Sequence, residues 1–254
     1  MYYRIAIPTY DRLNKLLETT LPLLKKHNIP LNRIDIFVEN EDQYDLYTEH
    51  IQNIKFIITN TEGIGEKRNF IRHYYQVKHL TKYFIQIDDD VEDICDMDKS
   101  VDDLNSFIRF AFQETEDRGL NLWGVSNYSN TFFMSRTITT TLKTIAGAFQ
   151  GVIVDCRKCP LETDFNHGED VDFTIQHFMR DDGVVRFNNI NLKTKYLCNG
   201  GINTSYGGLD NRQQDMIMAA DRMKEQYGDM VRIDQNKWGV NVRLNHFYKN
   251  IPQL

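Results

Sequence analysis

Apolar and polar positions alternate over the first hundred residues in a way that predicts strands and helices in turn. Short β-branched runs bounded by turn residues are typical of buried strands, whereas apolar residues three or four positions apart are typical of helices. The first pattern predicts strands over 4–8, 34–38, 54–58 and 83–87. The second predicts helices over 12–28, over 42–52 and after a turn at Gly63-Ile-Gly65, with Pro22 breaking or kinking the first. Such regular alternation predicts a parallel, doubly wound, Rossmann-like sheet flanked by helices.

The second half of the chain is less regular. Helices are predicted over 102–118, 168–180 and 212–227, and a buried strand over 147–154. Paired glycines at 200–201 and 207–208 bracket a predicted loop before the last helix. No repeat, low-complexity linker or shift in composition marks a boundary. We therefore expect one mixed α/β domain over 1–254, which is long enough to bury a substantial core.

Three consecutive aspartates follow the strand at 83–87. Asp88, Asp89 and Asp90 concentrate like charge at the end of an apolar stretch, and this is costly unless a cation is held there. Carboxylate oxygens suit Mg²⁺ or Mn²⁺, which bind substrate phosphates through one or two carboxylates. The alternative is an acidic turn or helix start, where the helix dipole favours aspartate.

Polar residues also follow the other three predicted strands. They are Thr9-Tyr10-Asp11-Arg12, Glu39-Asn40 and Thr59-Asn60. In a doubly wound sheet, ligands bind beyond the carboxyl ends of the strands. Because all four strands end in polar residues, the sequence predicts one ligand crevice along this edge.

Composition narrows the class of protein. Hydrophobic residues make up 41% and charged residues 26% of the chain, as is ordinary for a soluble globular protein. No apolar run approaches the length of a membrane span, and the N-terminus lacks a signal peptide's apolar block, so we expect a cytoplasmic protein without a membrane partner. Cys156 and Cys159 have metal-knuckle spacing, but no second such pair accompanies them, which favours free thiols.

Charge alone does not indicate a nucleic-acid-binding protein. The net charge is −6 and the pI is about 5.7, whereas nucleic-acid-binding domains are generally basic. One stretch between Glu66 and Tyr83 is locally basic and interleaved with aromatic residues. It could meet phosphates, or it could be the solvated basic face of an amphipathic helix.

The chain lacks the sequence motifs that are typical of several enzyme classes. No GxGxxG follows the first strand, and neither GxxxxGK[ST] nor GxSxG occurs, which weakens the dinucleotide-binding, P-loop and hydrolase interpretations. A nucleotidyltransferase would show a glycine-rich phosphate loop beside the first strand. What remains is a nucleotide crevice with a divalent metal.

Motifs in a fixed order resemble those of GT-A-fold glycosyltransferases. They are IPTYDR, VEN, GIGEKRN, IQIDDDV in the place of the DxD motif, and GEDVDF. More narrowly, GIGEKRNFI, the IDDD cluster, GAFQGVIV and GEDVDF together resemble the TET-associated glycosyltransferases of phages and some protists, which are thought to place sugars on hydroxymethylated pyrimidines in DNA. The resemblance spans about 3–205 and implies a GT-A-like domain, with a nucleotide-binding half at 1–100 and a mixed acceptor and catalytic half at 101–254.

The resemblance implies a role for each candidate residue. The implied nucleotide-sugar ligands are Thr9, Tyr10, Arg12, Glu39, Lys67, Arg68, Asn69, Asp88, Asp89, Gln150 and Gly151. The implied metal ligands are Asp90 and Asp88, and His246 is either a late ligand or a structural histidine. Asp170 is the implied general base and Glu169 the second candidate, because inverting transfer needs a carboxylate opposite the leaving group. The alternative is that both acids simply begin a helix.

The leading hypothesis is therefore a metal-dependent, inverting glycosyltransferase. Its implied donor is a nucleotide sugar, a UDP-sugar, and its implied acceptor is 5-hydroxymethylcytosine in double-stranded phage DNA. Within the same class, the acceptor could instead be a glycan, a lipid-linked sugar or a protein. From another class, a non-catalytic nucleotide-sugar or DNA-binding module would keep the crevice without the base. The sequence makes no prediction about the oligomeric state.

Overall fold

A computed structural model describes residues 1–78, 80–128, 130–194, 209–236 and 239–248. The predicted glycine-bracketed loop at 200–208 lies outside the described residues. The strands are β1 (Arg4–Pro8), β2 (Ile34–Val38), β3 (Lys55–Ile58), β4 (Tyr83–Ile87), β5 (Val91–Asp96), β6 (Lys99–Ser100), β7 (Leu122–Ser126), β8 (Ile138–Thr139), β9 (Phe149–Ile153), β10 (Val185–Thr194), β11 (Val231–Asn236) and β12 (Gly239–Leu244). The α-helices are α1 (Leu13–Glu18), α2 (Thr20–Lys26), α3 (Glu41–His50), α4 (Gly63–Val77), α5 (Leu104–Asp117), α6 (Glu169–Asp181) and α7 (Leu209–Tyr227).

The central sheet has the strand order β3-β2-β1-β4-β9-β7-β10-β5-β6, and β8 pairs with β10. The first four strands in this order are mutually parallel, as the sequence predicted. The strand β9 runs antiparallel to both β4 and β7, and β10 runs parallel to β7. The carboxyl ends of β4 and β7 therefore share an edge with the start of β9, and this edge carries the candidate site.

Two hydrophobic cores cover the two faces of the sheet. Alternate residues of one strand serve different cores, so that Ile5 and Ile7 pack with α1, α2, α3 and α5, whereas Ala6 faces α4 and α6. The same alternation places Ile36 in one core and Phe37 in the other. Burial on both faces explains why these strands read as continuous apolar runs.

The first predicted helix is interrupted, as Pro22 suggested, but the break lies upstream of it. The helices α1 and α2 meet at Thr19, whose φ of −124° and ψ of −83° are not helical. Pro22 lacks an N–H and its ring opposes the carbonyl four residues earlier, at Glu18, which ends α1 there. The Thr19 hydroxyl donates to the Asp89 carbonyl at 2.9 Å, and that of Thr20 to the Asp88 carbonyl at 2.8 Å. The break thus holds the backbone of the aspartate cluster.

A turn at 63–65 was predicted to precede a helix, but in the structure both glycines lie in the first turn of α4 itself. Gly63 has a φ of +80°, a conformation that glycine adopts without strain. A Cβ on Gly65 would lie 2.2 Å from the Phe165 carbonyl oxygen, and the Gly65 N–H donates to the Asn166 Oδ1 at 3.1 Å. These contacts bring the start of α4 against the segment that leads into α6.

Several strands of the second half were not predicted. The strand β10 carries Asn188, Asn189 and Asn191, which interrupt its apolar pattern. Their amides donate to neighbouring loops, for example from Asn191 to the Met97 carbonyl at 2.6 Å. Among the described cysteines, Cys95 is buried, and Cys156 and Cys159 are exposed. In the part of the chain with described structure, no helix has the length and apolarity of a membrane span.

Candidate active site

The aspartate cluster lies directly beyond β4, and each side chain has different partners. Asp89 is buried and accepts a hydrogen bond from the Thr9 hydroxyl at 2.6 Å. One Arg12 nitrogen, Nη1, lies 3.0 Å from Asp90 Oδ2 and 3.3 Å from Asp89 Oδ1. Asp88 is half-buried and pairs instead with Arg68. The cluster is therefore held between two arginines.

These arginines do not fully compensate the negative charge of the cluster. Burial raises the pKa of Asp89 to about 7 and outweighs the opposing effects of Thr9 and Arg12. Burial and the neighbouring Asp88 likewise raise the pKa of Asp90. Within the described residues, no three or more His, Cys, Asp or Glu side chains are grouped to hold a metal. Mg²⁺ sites commonly combine one or two carboxylates with substrate phosphates, so the available oxygens fit a divalent cation.

Arg68 connects the aspartate cluster to the acids at the start of α6. Its Nη2 lies 2.9 Å from Asp88 Oδ1, and its Nη1 lies 2.9 Å from Glu169 Oε1. The residue is 2% exposed, and the surrounding acids raise its pKa against the effect of burial. A Cβ on Gly147 would lie 1.8 Å from Arg68 Nη1. Glycine at position 147 therefore makes room for this guanidinium.

The two candidate bases differ in their surroundings. Glu169 is buried, and burial raises its pKa to about 7, with Asp170 adding to the shift and Arg68 opposing it. Asp170 is half-buried; its Oδ1 accepts from the Val171 N–H at 2.8 Å and its Oδ2 from the Gly147 N–H at 3.4 Å. Both acids lie in the first turn of α6, after Gly168 with a φ of +75°. They begin a helix, as the alternative expected, and they also face the Arg68 bridge.

Four of the predicted nucleotide-sugar ligands meet at the ends of β1 and β2. The Lys67 ammonium donates to the Thr9 carbonyl at 3.1 Å and lies 3.5 Å from Glu39 Oε2. It also lies 5.5 Å from the centre of the Tyr10 ring. Burial lowers the pKa of Lys67 more strongly than Glu39 raises it. Because nearby negative charge would stabilise this buried ammonium, its position is suited to binding a phosphate.

Other predicted ligands have partners away from the aspartates. The Asn69 amide donates to the Thr163 carbonyl at 2.8 Å, and its oxygen accepts the Thr163 N–H at 3.0 Å. Gln150 is buried in β9, where its amide donates to Gln86 at 2.6 Å. A Cβ on Gly151 would lie 2.1 Å from Trp123 Nε1, so this glycine accommodates the indole. Packing and local hydrogen bonds account for the residue types at these three positions. Their roles in binding the donor stay predictions.

His246 follows β12 and contacts the loop before β9. Its Nδ1 lies 3.1 Å from the Leu142 carbonyl, and burial lowers its pKa, to which Lys143 and Arg186 contribute. Among the contacts of the described residues, this histidine pairs with no aspartate of the cluster. A role as a metal ligand stays a prediction.

The basic stretch between Glu66 and Tyr83 does not form one continuous surface. Lys67 and Arg68 are buried in the first two turns of α4, and Arg72 is buried further along the same helix. Lys78 directly follows that helix, about 16 Å along its axis from Lys67 at 1.5 Å per residue. Lys82 pairs with Glu116 just before β4. The last two lysines therefore lie at the amino-terminal edge of the sheet, opposite the crevice.

The structure also adds site residues that the sequence did not indicate. The buried Tyr47 hydroxyl lies 2.9 Å from Thr9 Oγ1 and accepts the Arg12 N–H at 3.0 Å. With Thr19 and Thr20, it positions the strand ends rather than presenting a reactive group. A tyrosine on an amphipathic helix and threonines near a proline carry no distinctive sequence signal, because their partners are remote in the chain.

The fold is similar to that of solved GT-A glycosyltransferases. A mannosyltransferase from Pyrobaculum calidifontis, solved with GDP-Man and Mn²⁺, is similar with a TM-score of 0.52 and 12% identity, over 88% of this chain and 64% of that one. Residues 1–349 of TarS from S. aureus, solved with UDP-GlcNAc, are similar with a TM-score of 0.55 and 14% identity, over 88% of this chain and 67% of that one. The chain thus spans about two thirds of each of these structures.

The family follows from the sequence profile. The profile described as TET-Associated Glycosyltransferase matches residues 3–201, and the chain belongs to this family. No curated protein matches the chain. The resemblance and the GT-A-like α/β fold expected from the sequence are thereby confirmed.

Proposed function

We propose that this chain transfers a sugar from a UDP-sugar to the hydroxyl of 5-hydroxymethylcytosine in DNA, with inversion and with a divalent metal. The observation that carries the proposal is the Arg68 bridge between Asp88 and Glu169. It brings the end of β4, where a diphosphate and metal would lie, next to the carboxylates of α6. A donor and a hydroxyl acceptor could meet between these two elements.

The residues on the donor side would hold the nucleotide and its phosphates. Asp88 and Asp90 would hold Mn²⁺ or Mg²⁺, which when bound neutralises charge on the departing diphosphate. Lys67 and Arg12 lie at the same edge and would add positive charge beside the phosphates. Thr9 and Glu39 would face the nucleoside. The similar mannosyltransferase and TarS, whose structures contain GDP-Man with Mn²⁺ and UDP-GlcNAc, support a nucleotide-sugar donor.

Asp170 is the better candidate for the general base. The carboxylate of Glu169 is already engaged by Arg68 at 2.9 Å, whereas Asp170 is more exposed and contacts only backbone N–H groups in the described hydrogen bonds. An inverting transfer requires one carboxylate to take the proton of the acceptor hydroxyl. In this arrangement Glu169 fixes Arg68, and Asp170 accepts the proton.

The family membership favours DNA as the acceptor. The net charge of −6 weighs against DNA, although a base that leaves the helix stack needs only a local basic rim. A glycan, a lipid-linked sugar or a protein is the second candidate acceptor, because a fold does not by itself determine the substrate. A non-catalytic module is the third candidate function, and the retained acids of α6 argue against it.

One assay separates these candidates. A panel of nucleotide sugars is incubated with hydroxymethylated and unmodified DNA in Mn²⁺, and the products are read by mass spectrometry. We expect the mass of one sugar to be added to hydroxymethylated DNA only. Transfer to a glycan or protein but never to DNA would overturn the acceptor, and absence of transfer from every donor would overturn the enzymatic function.

A further inference from the structure

Three basic side chains converge on the loop before β9. Arg186 Nη1 donates to the Thr144 carbonyl at 3.3 Å, and His246 Nδ1 lies 3.1 Å from the Leu142 carbonyl oxygen. Lys143 lies between these two loop residues in the chain, and its ammonium donates to Asn188 Oδ1 at 3.3 Å. The loop therefore gathers positive charge from β10 and from itself, and the segment after β12 adds an imidazole ring.

This positive charge has only neutral partners among the described residues. Arg186 is 3% exposed, and besides Thr144 its guanidinium donates to the Ser126 hydroxyl at 3.2 Å. Its Nε is buried without a hydrogen-bond partner. No carboxylate of the described chain forms an ion pair with Arg186 or Lys143. Burial lowers the pKa of both groups, and Arg186 adds to the shift of Lys143. Buried cations without a counter-charge are costly, and a bound anion would remove that cost.

Exposed aromatic rings adjoin the same cluster. The Arg186 guanidinium lies 5.6 Å from the centre of the Tyr128 ring. Tyr128 is 38% exposed, and it begins a series in which Phe133 and Phe132 are 63% and 83% exposed. Ring centres are 5.9 Å apart for Tyr128 and Phe133, and 5.2 Å apart for Phe133 and Phe132. Aromatic rings beside cations are the usual surface for an unpaired nucleic-acid strand, whose bases stack while its phosphates pair.

The cluster also lies close to the proposed base. The Gly147 N–H donates to Asp170, and Lys143 precedes Gly147 by four residues, which span at most about 14 Å. The aromatic segment follows β7, whose carboxyl end shares its edge with the aspartates. A strand that presents a hydroxyl to Asp170 could reach the cations with a neighbouring phosphate.

We propose that Lys143, Arg186 and His246 form an acceptor subsite for a backbone phosphate of a nucleic-acid strand, whose adjacent bases stack on Tyr128, Phe132 and Phe133. This assignment rests on the proposed transfer to DNA and gives it a location on the protein. The strand is engaged as single-stranded or locally unpaired nucleic acid. The donor diphosphate binds elsewhere, at the aspartate cluster.

The test uses Lys143→Met and Tyr128→Ala in the full chain, with Lys78→Met as the matched control at the opposite edge. Binding of a fluorescein-labelled single-stranded 12-mer with one 5-hydroxymethylcytosine is followed by anisotropy at several salt concentrations. UDP binding in Mn²⁺ is measured by calorimetry. We expect Lys143→Met to weaken DNA binding about tenfold and to reduce the salt slope by about 0.7, the value for one phosphate of a single strand. Tyr128→Ala should weaken DNA binding about fivefold or more through lost stacking.

UDP binding should be unchanged in all three variants, and Lys78→Met should bind DNA like the wild type. Wild-type DNA affinity and salt slope in Lys143→Met would overturn the subsite, and if sugar transfer to DNA persisted the proposed function would survive. Weakened UDP binding with unchanged DNA binding would assign these cations to the donor and also overturn the proposal. A wild type that neither binds nor modifies DNA would overturn both the DNA acceptor and the subsite. Circular dichroism confirms that each variant is folded.

Discussion

Arg68 and Glu169 form a buried ion pair across the crevice, with 2.9 Å between Nη1 and Oε1. The same guanidinium holds Asp88 through its other nitrogen. The positions of the aspartates after β4 and of the acids at the start of α6 are therefore coupled through one side chain. Truncating one partner of a buried ion pair typically costs about 3–5 kcal/mol, so this pair constrains both stability and site geometry.

The first prediction tests the metal. Asp90→Asn should abolish sugar transfer while circular dichroism and the melting temperature stay close to those of the wild type, because the amide keeps the shape but loses the charge that a cation needs. Wild-type enzyme treated with EDTA should lose activity and recover it with Mn²⁺ or Mg²⁺. Full activity in excess EDTA would show that no metal takes part.

The second prediction separates the two acids of α6. Asp170→Asn should lower turnover about a hundredfold or more, as expected for loss of a general base, and should largely preserve UDP-sugar binding in calorimetry. Glu169→Gln should instead disturb Arg68, and so reduce both stability and donor binding. Near-wild-type turnover in Asp170→Asn would leave Asp170 as an acid that only begins the helix.

The third prediction concerns the space around Arg68. Gly147→Ala would place a methyl group 1.8 Å from Arg68 Nη1, which must displace the guanidinium from Asp88 and Glu169. We expect transfer to fall at least tenfold, with a lower melting temperature. Gly119→Ala is the control, because its Cβ meets nothing within 4 Å although its φ is +69°. It should lower the melting temperature by backbone strain alone and keep its activity.

The fourth prediction concerns stability in acid. His177 is buried against Asp181, at 3.0 Å between Nδ1 and Oδ2, and burial lowers its pKa to about 4, with Arg180 opposing the effect of Asp181. The unfolded chain takes up this proton near pH 6.5 and the folded protein does not. Stability should therefore fall as the pH drops from about 6.5 to 4, by at most about 1.4 kcal/mol per pH unit for this one group.

Other groups titrate in the same range, so the comparison must be made between variants. The raised pKa of Glu169 acts in the opposite direction between about pH 4.5 and 7, because the folded protein then holds the extra proton. Urea unfolding of the wild type and of His177→Gln over this range isolates the contribution of His177. The variant should lose less stability on acidification. Parallel curves would show that His177 does not govern this acid dependence.

Local sequence patterns were sufficient to predict most strands and helices of residues 1–100. Strand periodicity predicted β1 to β4, and the polar residues after each strand predicted the crevice, because the carboxyl ends of parallel strands share one edge. Pro22 predicted a helix break, and the glycines at 63 and 65 predicted that a helix begins close to them. These signals are local: they depend on side-chain period, a missing N–H or a permitted φ angle.

The tertiary structure alone decided which side chains became partners. It paired Arg68 with Glu169, placed Gly147 under the guanidinium, and separated Lys78 and Lys82 from the crevice although they belong to the same basic stretch. It also formed β10 from a segment whose asparagines interrupt the apolar pattern, since their amides find partners in distant loops. Packing between segments that are remote in the chain determines which charged and hydrogen-bonding groups become partners. Short-range sequence patterns therefore do not predict these pairs.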